Sequence, residues 1–226
     1  TSNTIFIVIW ILIACFPFIW TFWGSFKVRA DFFSRADWWY AITAFNTLIE
    51  TGAKFTTEAY SGAWFEGEFW RASRNTVIVT ISVVSISLFL GTLGAYALSR
   101  STKNYAFWLL IIALIFRAMP HITLVSGYLF PFFQLQIWGI LPTTIVVLVA
   151  INQPFTLWLL YSFFKTVPKE LDESALIDGC SYFQTFRHII MPVMWPGVIT
   201  AGLFSLMLAY NDFTVTALLL NQENHT

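Results

Sequence analysis

The chain of 226 residues is 58% hydrophobic and only 11% charged, with 12 Lys+Arg balancing 12 Asp+Glu. A soluble domain is about half apolar and about a quarter charged, so this composition argues against both a soluble globule and a disordered segment. The even charge balance offers no basic surface for nucleic acid.

The position of the few charges sets the organisation. Residues 1–26, 75–99 and 188–211 carry none, and 104–164 carry only Arg117. A helix needs roughly 20 apolar residues to cross the ~30 Å hydrocarbon layer, where it must satisfy its own backbone hydrogen bonds. The chain therefore reads as an all-α, polytopic helical membrane protein, with spans expected near 5–26, 75–98, 105–130, 141–164 and 193–220.

Taken in order, the first span (domain 1–26) contains Leu12-Ile13-Ala14-Cys15, which resembles a lipoprotein cleavage box. Its apolar run continues through Trp23 with no basic segment before it, so an ordinary span is expected. The 27–74 loop carries Trp38-Trp39-Tyr40, Trp64 and Trp70, an aromatic density suited to a small element at the lipid interface. Within it, 36–55 fits a helix with Ala41, Phe45, Leu48 and Ile49 near one face. Interfacial packing and a binding role both stay open for this loop.

The 75–220 region forms the core. Its long apolar stretch at 104–164 exceeds one span and divides at Gln134–Gly139, followed by Pro142. Pro120, Gly127 and Pro131 are positions where the third span can kink or break. Cys15 lies in a span and Cys180 in a charged loop, so no disulfide is expected between them, and no Cys/His cluster suggests a metal. The chain starts at Thr1 and ends at His225-Thr226 just after the fifth span, so 221–226 is read as a truncated end with a sixth helix missing. If the spans alternate, 99–104 and 165–192 share the face denser in Lys and Arg, which favours that face as cytoplasmic and 27–74 as extracytoplasmic. Arg71 and Arg74 count against this orientation.

The 165–192 segment reads as two short helices. Pro168 suits a first helical turn, and Glu170, Asp172 and Glu173 place negative charge at a positive helix terminus. Gly179 can close the helix in the left-handed conformation, and Ser181 with Gln184 has the spacing of a capping box. Phe183, Phe186 and Ile190 fall on one expected face, and Pro192 is expected to end the second helix before span five. Such an amphipathic pair is either a surface connector or a docking element.

The particular residues decide against a plain connector by what they resemble. Glu173-Ser174-Ala175, Asp178-Gly179 and Ile189-Ile190-Met191-Pro192, with Phe186 and Pro196, resemble the EAA motif of binding-protein-dependent ABC importer permeases. Ser174, Cys180 and Met191 stand where that family usually has Ala, Ala and Leu. Asn75, the run Gly94-Ala95-Tyr96-Ala97-Leu98-Ser99-Arg100, Arg117-Ala118-Met119-Pro120 with Tyr128, and Tyr210-Asn211-Asp212-Phe213 are similar to the carbohydrate branch, the permeases like the second subunit of the maltose transporter. The resemblance runs from about Tyr60 to Leu220, and the 27–59 stretch is its least transferable part.

The resemblance implies a type I ABC importer transmembrane fold and a transport subunit rather than an enzyme, in a bacterial or archaeal cytoplasmic membrane. No G-x-x-x-x-G-K-[ST] run occurs, so ATP and Mg would be used by two copies of a separate ATP-binding subunit, with no cofactor bound by this chain. The other implied partners are a second permease subunit, an extracytoplasmic solute-binding protein and the lipid bilayer. Glu173, Ser174, Ala175, Asp178, Gly179, Phe183, Phe186, Ile189 and Pro192 would form the ATPase-coupling helix. Arg117, His121, Asn152, Gln153, Tyr210, Asn211 and Asp212 are expected along the translocation path, because polar groups at membrane depth are costly. Purely structural pairing of Arg117 with Asp212 is the other reading. A polyol or polyamine permease is the nearer rival. A secondary transporter should show paired broken helices in an internal repeat and a membrane enzyme a clustered acid/base set, and neither pattern is visible.

Overall fold

The computed structural model describes residues 2–26 and 56–220. The expected 36–55 helix, the Trp38-Trp39-Tyr40 cluster and the 221–226 end lie outside the described residues. The chain divides into two compact units, 1–70 and 71–226.

In the first unit, α1 (Ser2–Gly24) carries Pro17 inside it. Its described side chains are almost all exposed apolar groups, as a lipid-facing helix requires. A short α2 (Glu58–Ser61) runs into a π-helical turn, Gly62–Glu66. Tyr60 meets the end of α1, with its hydroxyl 2.6 Å from Ser25 Oγ and its ring 5.6 Å from that of Phe26.

The second unit holds most of α3 (Phe69–Arg100), then α4 (Tyr105–Ala118), α5 (His121–Gln134) and α6 (Leu141–Thr166). It continues with α7 (Glu170–Ile177), α8 (Tyr182–Gln184), a π turn (Thr185–Ile190), α9 (Met191–Tyr210) and α10 (Phe213–Leu219). Among the described residues, four helical segments are long and apolar enough to cross a membrane, and a fifth span results if α4 and α5 count as one.

Several boundaries differ from the expectation for physical reasons. The helix α3 begins at Phe69 rather than near 75, since Trp-Arg-Ala-Ser-Arg contains good helix formers and no breaker. The third span is not one rod: α4 and α5 are bent by 89°. Pro120 biases the preceding residue toward extended backbone, and Met119 sits at φ −69°, ψ 143°. Pro168 precedes the N-cap Lys169 instead of occupying the first turn of α7. Pro192 does not end the second short helix, because the helical path runs unbroken from Tyr182 to Tyr210. A π turn comes just before it, so the missing proline N–H falls where the hydrogen-bond pattern is already changing. Span five stops at Tyr210, and the chain breaks at Asn211–Asp212 before α10.

Two apolar clusters hold the unit together. One gathers Val79, Val83, Val125, Val147, Leu148, Val215 and Leu219. The other gathers Ala95, Leu160, Phe164, Ile190, Met194 and Val198 around the start of α9 and the end of α6. In α3, α6 and α9, the buried polar residues Ser87, Asn152, Thr156 and Ser205 lie between the two clusters along the helix. The helices α3 and α6 approach closely at Gly91, where a Cβ would stand 3.1 Å from Leu160 Cδ1 and 3.2 Å from Gln153 Nε2. Small residues permit such approaches where lipid supplies no hydrophobic drive.

Candidate functional site

Two polar constellations stand out, one on the α7–α8 segment and one at the bend between α4 and α5. In the first, α7 opens with Glu170, Asp172 and Glu173 in its first turn, and Ser174 donates its hydroxyl to the Glu170 carbonyl. Ala175 is buried, whereas Glu173 and Asp178 are exposed. Gly179 adopts φ +88°, the left-handed region that favours glycine, and no neighbour would obstruct a Cβ there. The Gly179 N–H donates to the Leu176 carbonyl (3.1 Å) and the Cys180 N–H to the Ala175 carbonyl (3.0 Å), the paired bonds of a Schellman close. The capping box also forms: Gln184 N–H donates to Ser181 Oγ at 3.3 Å, and Ser181 N–H to Gln184 Oε1 at 2.8 Å.

The expected apolar stripe is rearranged. Ile190 is fully buried and Phe186 half-buried, its ring 5.0 Å from Tyr96, while Phe183 turns outward at 64% exposed. The π turn over Thr185–Ile190 carries more residues per turn than an α-helix and breaks the register assumed from the sequence. The exposed apolar patch is instead Ile177, Tyr182 and Phe183, of which the sequence reading named only Phe183. Ile189 is half-buried and Pro192 exposed.

Sequence reasoning also passed over an anchor beneath this segment. Arg100 Nη2 lies 2.7 Å from Asp172 Oδ2, and the Tyr96 hydroxyl donates to Asp172 Oδ1. Arg100 Nη1 donates to the carbonyls of Val167 (3.0 Å) and Phe164 (3.3 Å) at the end of α6. The available signal was the i, i+4 spacing of Tyr96 and Arg100 at the end of a span.

The second constellation forms where helices break. Arg117 closes α4, His121 opens α5 and Asp212 precedes α10. Arg117 Nη1 lies 3.3 Å from His121 Nε2, and His121 Nδ1 lies 3.2 Å from Asp212 Oδ2. A guanidinium only donates and a carboxylate only accepts, so this order selects the imidazole tautomer with its proton on Nδ1. Asp212 Oδ1 accepts the Val215 N–H at 2.9 Å and caps α10, while Arg117 also donates to the Ile151 carbonyl at 3.4 Å.

A cavity of about 500 Å³ opens beside this chain of contacts, lined by Arg117, His121, Asn152, Asn211 and Asp212 together with the rings of Phe155 and Phe204. Asn152 is buried, and its Nδ2 donates to the Ser205 carbonyl at 3.4 Å. Its Oδ1 has no hydrogen-bond partner among the described residues. Five of the seven residues expected on a translocation path thus meet at one cavity. Gln153 turns instead toward α3, donating to the Ser87 carbonyl at 3.5 Å, and Tyr210 is exposed away from the cavity lining.

A family model described as the inner membrane component of binding-protein-dependent transport systems matches residues 87–224. The chain is 29% identical to the diacetylchitobiose uptake system permease protein NgcG of Streptomyces coelicolor, over 96% of this chain and 68% of that protein. It is 32% identical to the putative ABC transporter permease protein ORF2 of Caldicellulosiruptor sp., over 97% of this chain and 75% of the relative. It is 31% identical to the trehalose/maltose transport system permease protein MalG of Thermococcus litoralis, over 89% and 69% respectively. Among solved structures, a bacterial ABC transporter involved in import of the acidic polysaccharide alginate shares the fold, with TM-score 0.77 at 20% identity over 99% of this chain and 74% of that one.

Proposed function

This chain belongs to the family of binding-protein-dependent transport system inner membrane components, and from that premise we propose that it is the permease subunit of an ATP-driven importer for a neutral carbohydrate. It is a multi-pass transport subunit and not an enzyme. Its implied partners are a second permease subunit, two copies of an ATP-binding subunit that use ATP and Mg, and an extracytoplasmic solute-binding protein. In this reading residues 165–192 face the cytoplasm, 1–26 form the first span and 27–74 lie outside. Residues 75–220 make the core in the cytoplasmic membrane, and 221–226 are extracytoplasmic.

The observation that carries the proposal is the form of the α7–α8 element. It is capped at both sides of its turn, so it is stiff, and it shows Ile177, Tyr182 and Phe183 outward beside exposed Glu173 and Asp178. An apolar knob ringed by carboxylates suits a groove lined with basic residues on an ATPase. Closure of the ATPase dimer then moves the knob, and the helical path from Tyr182 to Tyr210 carries the motion into a span. The solute assignment draws support from the cavity, where Arg117 and Asp212 balance in charge and two phenyl rings accompany the amide of Asn152. Hydroxyl-binding groups beside aromatic faces suit a sugar, and the charge balance speaks against a polyamine.

The test is Gly179→Val and Glu173→Lys. The first forces a β-branched residue into φ +88°, and the second reverses a charge on the exposed face. Both are expected to abolish copurification of the ATP-binding subunit and solute-stimulated ATP hydrolysis, while the spans still insert. Normal copurification with both variants would refute the docking assignment.

A further inference from the structure

Neighbouring acidic residues on α7 have opposite fates. Glu173 is exposed, whereas the Asp172 side chain is only 14% exposed and turns toward the end of α3. Its Oδ1 accepts the Tyr96 hydroxyl, and its Oδ2 forms an ion pair with Arg100 Nη2 at 2.7 Å without the alignment of a hydrogen bond. Nothing in chain order requires this. The helix α7 is joined covalently to α6 before it and to α8 after it, and α3 ends at Arg100, far earlier in sequence.

We propose that Asp172 is a positioning residue that passes movement of the α7–α8 lever into α3 through Arg100 and Tyr96. The inference rests on the reading of this lever as the ATPase-docking element, and it adds a second output beside the continuous helix into α9.

Three features make the junction able to carry force. The Arg100 side chain is 16% exposed, so its pair with Asp172 is shielded from the solvent that weakens surface ion pairs. The Nη1 of the same guanidinium donates to the Val167 carbonyl just past the end of α6 and to the Phe164 carbonyl, which also accepts the Val167 N–H. Helices α3, α6 and α7 therefore converge on one side chain, held to α7 by a close ion pair and to the end of α6 by two hydrogen bonds. Finally, the Tyr96 ring lies 5.7 Å from that of Phe164 and 5.0 Å from that of Phe186, between the two ends of the lever segment. A shift of α7 cannot leave this cluster in place without breaking charge-assisted bonds, so it moves the end of α3.

From there the path is packed. Higher on α3, Gly91 abuts Leu160, Gln153 and Thr156 of α6, and Ser87 accepts from Gln153. Asn152, adjacent to Gln153, borders the cavity. Close-packed interiors transmit displacement because they have few voids to absorb it. Asp172 thus links the lever to the wall of the cavity by a route separate from α9.

The experiment uses the whole importer, this chain with its partner permease, ATP-binding subunits and binding protein, in proteoliposomes. Asp172→Asn removes the charge, Asp172→Glu keeps it, and Tyr96→Phe removes one hydroxyl and leaves the ion pair. Each variant is read for subunit yield, ATP hydrolysis and solute transported per ATP. The expected result is normal copurification of the ATP-binding subunit with Asp172→Asn and a fall of roughly tenfold in solute per ATP, the size of effect that packed coupling networks can carry. Tyr96→Phe should lower the ratio about threefold, and Asp172→Glu should recover part of the loss. An unchanged ratio in Asp172→Asn overturns the proposal, and so does a loss of yield and transport together at constant solute per ATP, which is what a plain staple would give. Should Asp172→Asn fail to assemble, an unchanged ratio in Tyr96→Phe overturns it alone. Absence of any ATP-binding subunit from the unmodified complex would instead refute the functional reading beneath it.

Discussion

The two polar constellations use the same parts in different ways. Each has an arginine, an aspartate and a ring that bonds to the aspartate: Arg100, Asp172 and Tyr96 under the lever, Arg117, Asp212 and His121 at the helix break. Under the lever the opposite charges touch at 2.7 Å, and the other terminal nitrogen of the guanidinium donates to carbonyls at the end of α6. At the break the charges are held apart by an imidazole, with contacts of 3.3 and 3.2 Å, and a cavity of about 500 Å³ lies alongside. A closed pair resists exchange of partners and suits transmission. A stretched chain bordering a cavity can trade its longer contacts for hydroxyls of a solute at little net cost, because one hydrogen bond replaces another. Under the proposed function, the difference between joint and binding wall lies in spacing and access rather than in residue type.

The largest effect that can test this contrast is expected at Asp212. Replacing it with Ala removes the cap of α10 and the partner of His121, and leaves the Arg117–His121 pair without its carboxylate. Removal of one member of a half-buried charge set, together with a helix cap, should cost about 2–3 kcal/mol. Thermal unfolding of the purified complex should show that loss, with transport at background. Asp212→Asn retains an oxygen for the Val215 N–H and should recover about 1 kcal/mol. Equal damage from Asn and Ala would place the whole effect in the charge and make the break as rigidly electrostatic as the joint.

A smaller effect is expected midway between the constellations. At Gly91 a Cβ would already stand 3.1–3.2 Å from three α6 side chains, so Gly91→Leu must displace α3 from α6. Overpacking of this kind costs about 2 kcal/mol. Gly127, whose Cβ position meets no neighbour, supplies the control, because Gly127→Ala should leave the unfolding temperature unchanged or slightly raised. If Gly91→Leu behaves like the control, the contact between α3 and α6 is not tight enough to join the lever to the cavity.

How far these regions could be read from sequence follows from which of them depend on local chemistry. The Gly179 close and the Ser181–Gln184 box are settled within a few residues, and both form as their spacing requires. The spans follow from charge-free runs: the first, second and fourth are single helices close to their expected bounds, whereas the fifth runs from Tyr182 to Tyr210 instead of 193–220. The bend at Pro120 was visible as a weak point but not as an 89° turn, because the proline only removes one conformation and packing selects among the rest. That turn is what places Arg117 and His121 beside Asp212, so the cavity itself had no sequence signature. The π turn at Thr185–Ile190 likewise separates Phe183 from the buried face of Ile190, and the exposed Ile177 and Tyr182 flank a turn whose surface only the tertiary fold reveals. Asp172 read as one of three acidic residues at a helix start, and only the tertiary fold shows which of them turns inward.

The smallest effect on stability, and the sharpest separation of joint from binding wall, is expected at Asn152. Adjacent residues on a helix point about 100° apart, so Asn152 reaches the cavity while Gln153 reaches α3. Asn152 makes one long bond, to the Ser205 carbonyl at 3.4 Å, and buries an acceptor with no partner among the described residues. A long bond contributes less than about 1 kcal/mol and an unsatisfied buried acceptor opposes folding by about 1–3 kcal/mol, so Asn152→Ala removes a penalty at least as large as the gain and costs no net stability. Its unfolding temperature should stay close to that of the unmodified complex. A solute hydroxyl donating to Oδ1 would relieve the penalty only when bound, so the apparent affinity for transported sugar should fall about tenfold. The opposite pattern, a large loss of stability with unchanged affinity, would show that Asn152 belongs to the packing between α6 and α9 and that the cavity wall is built without it.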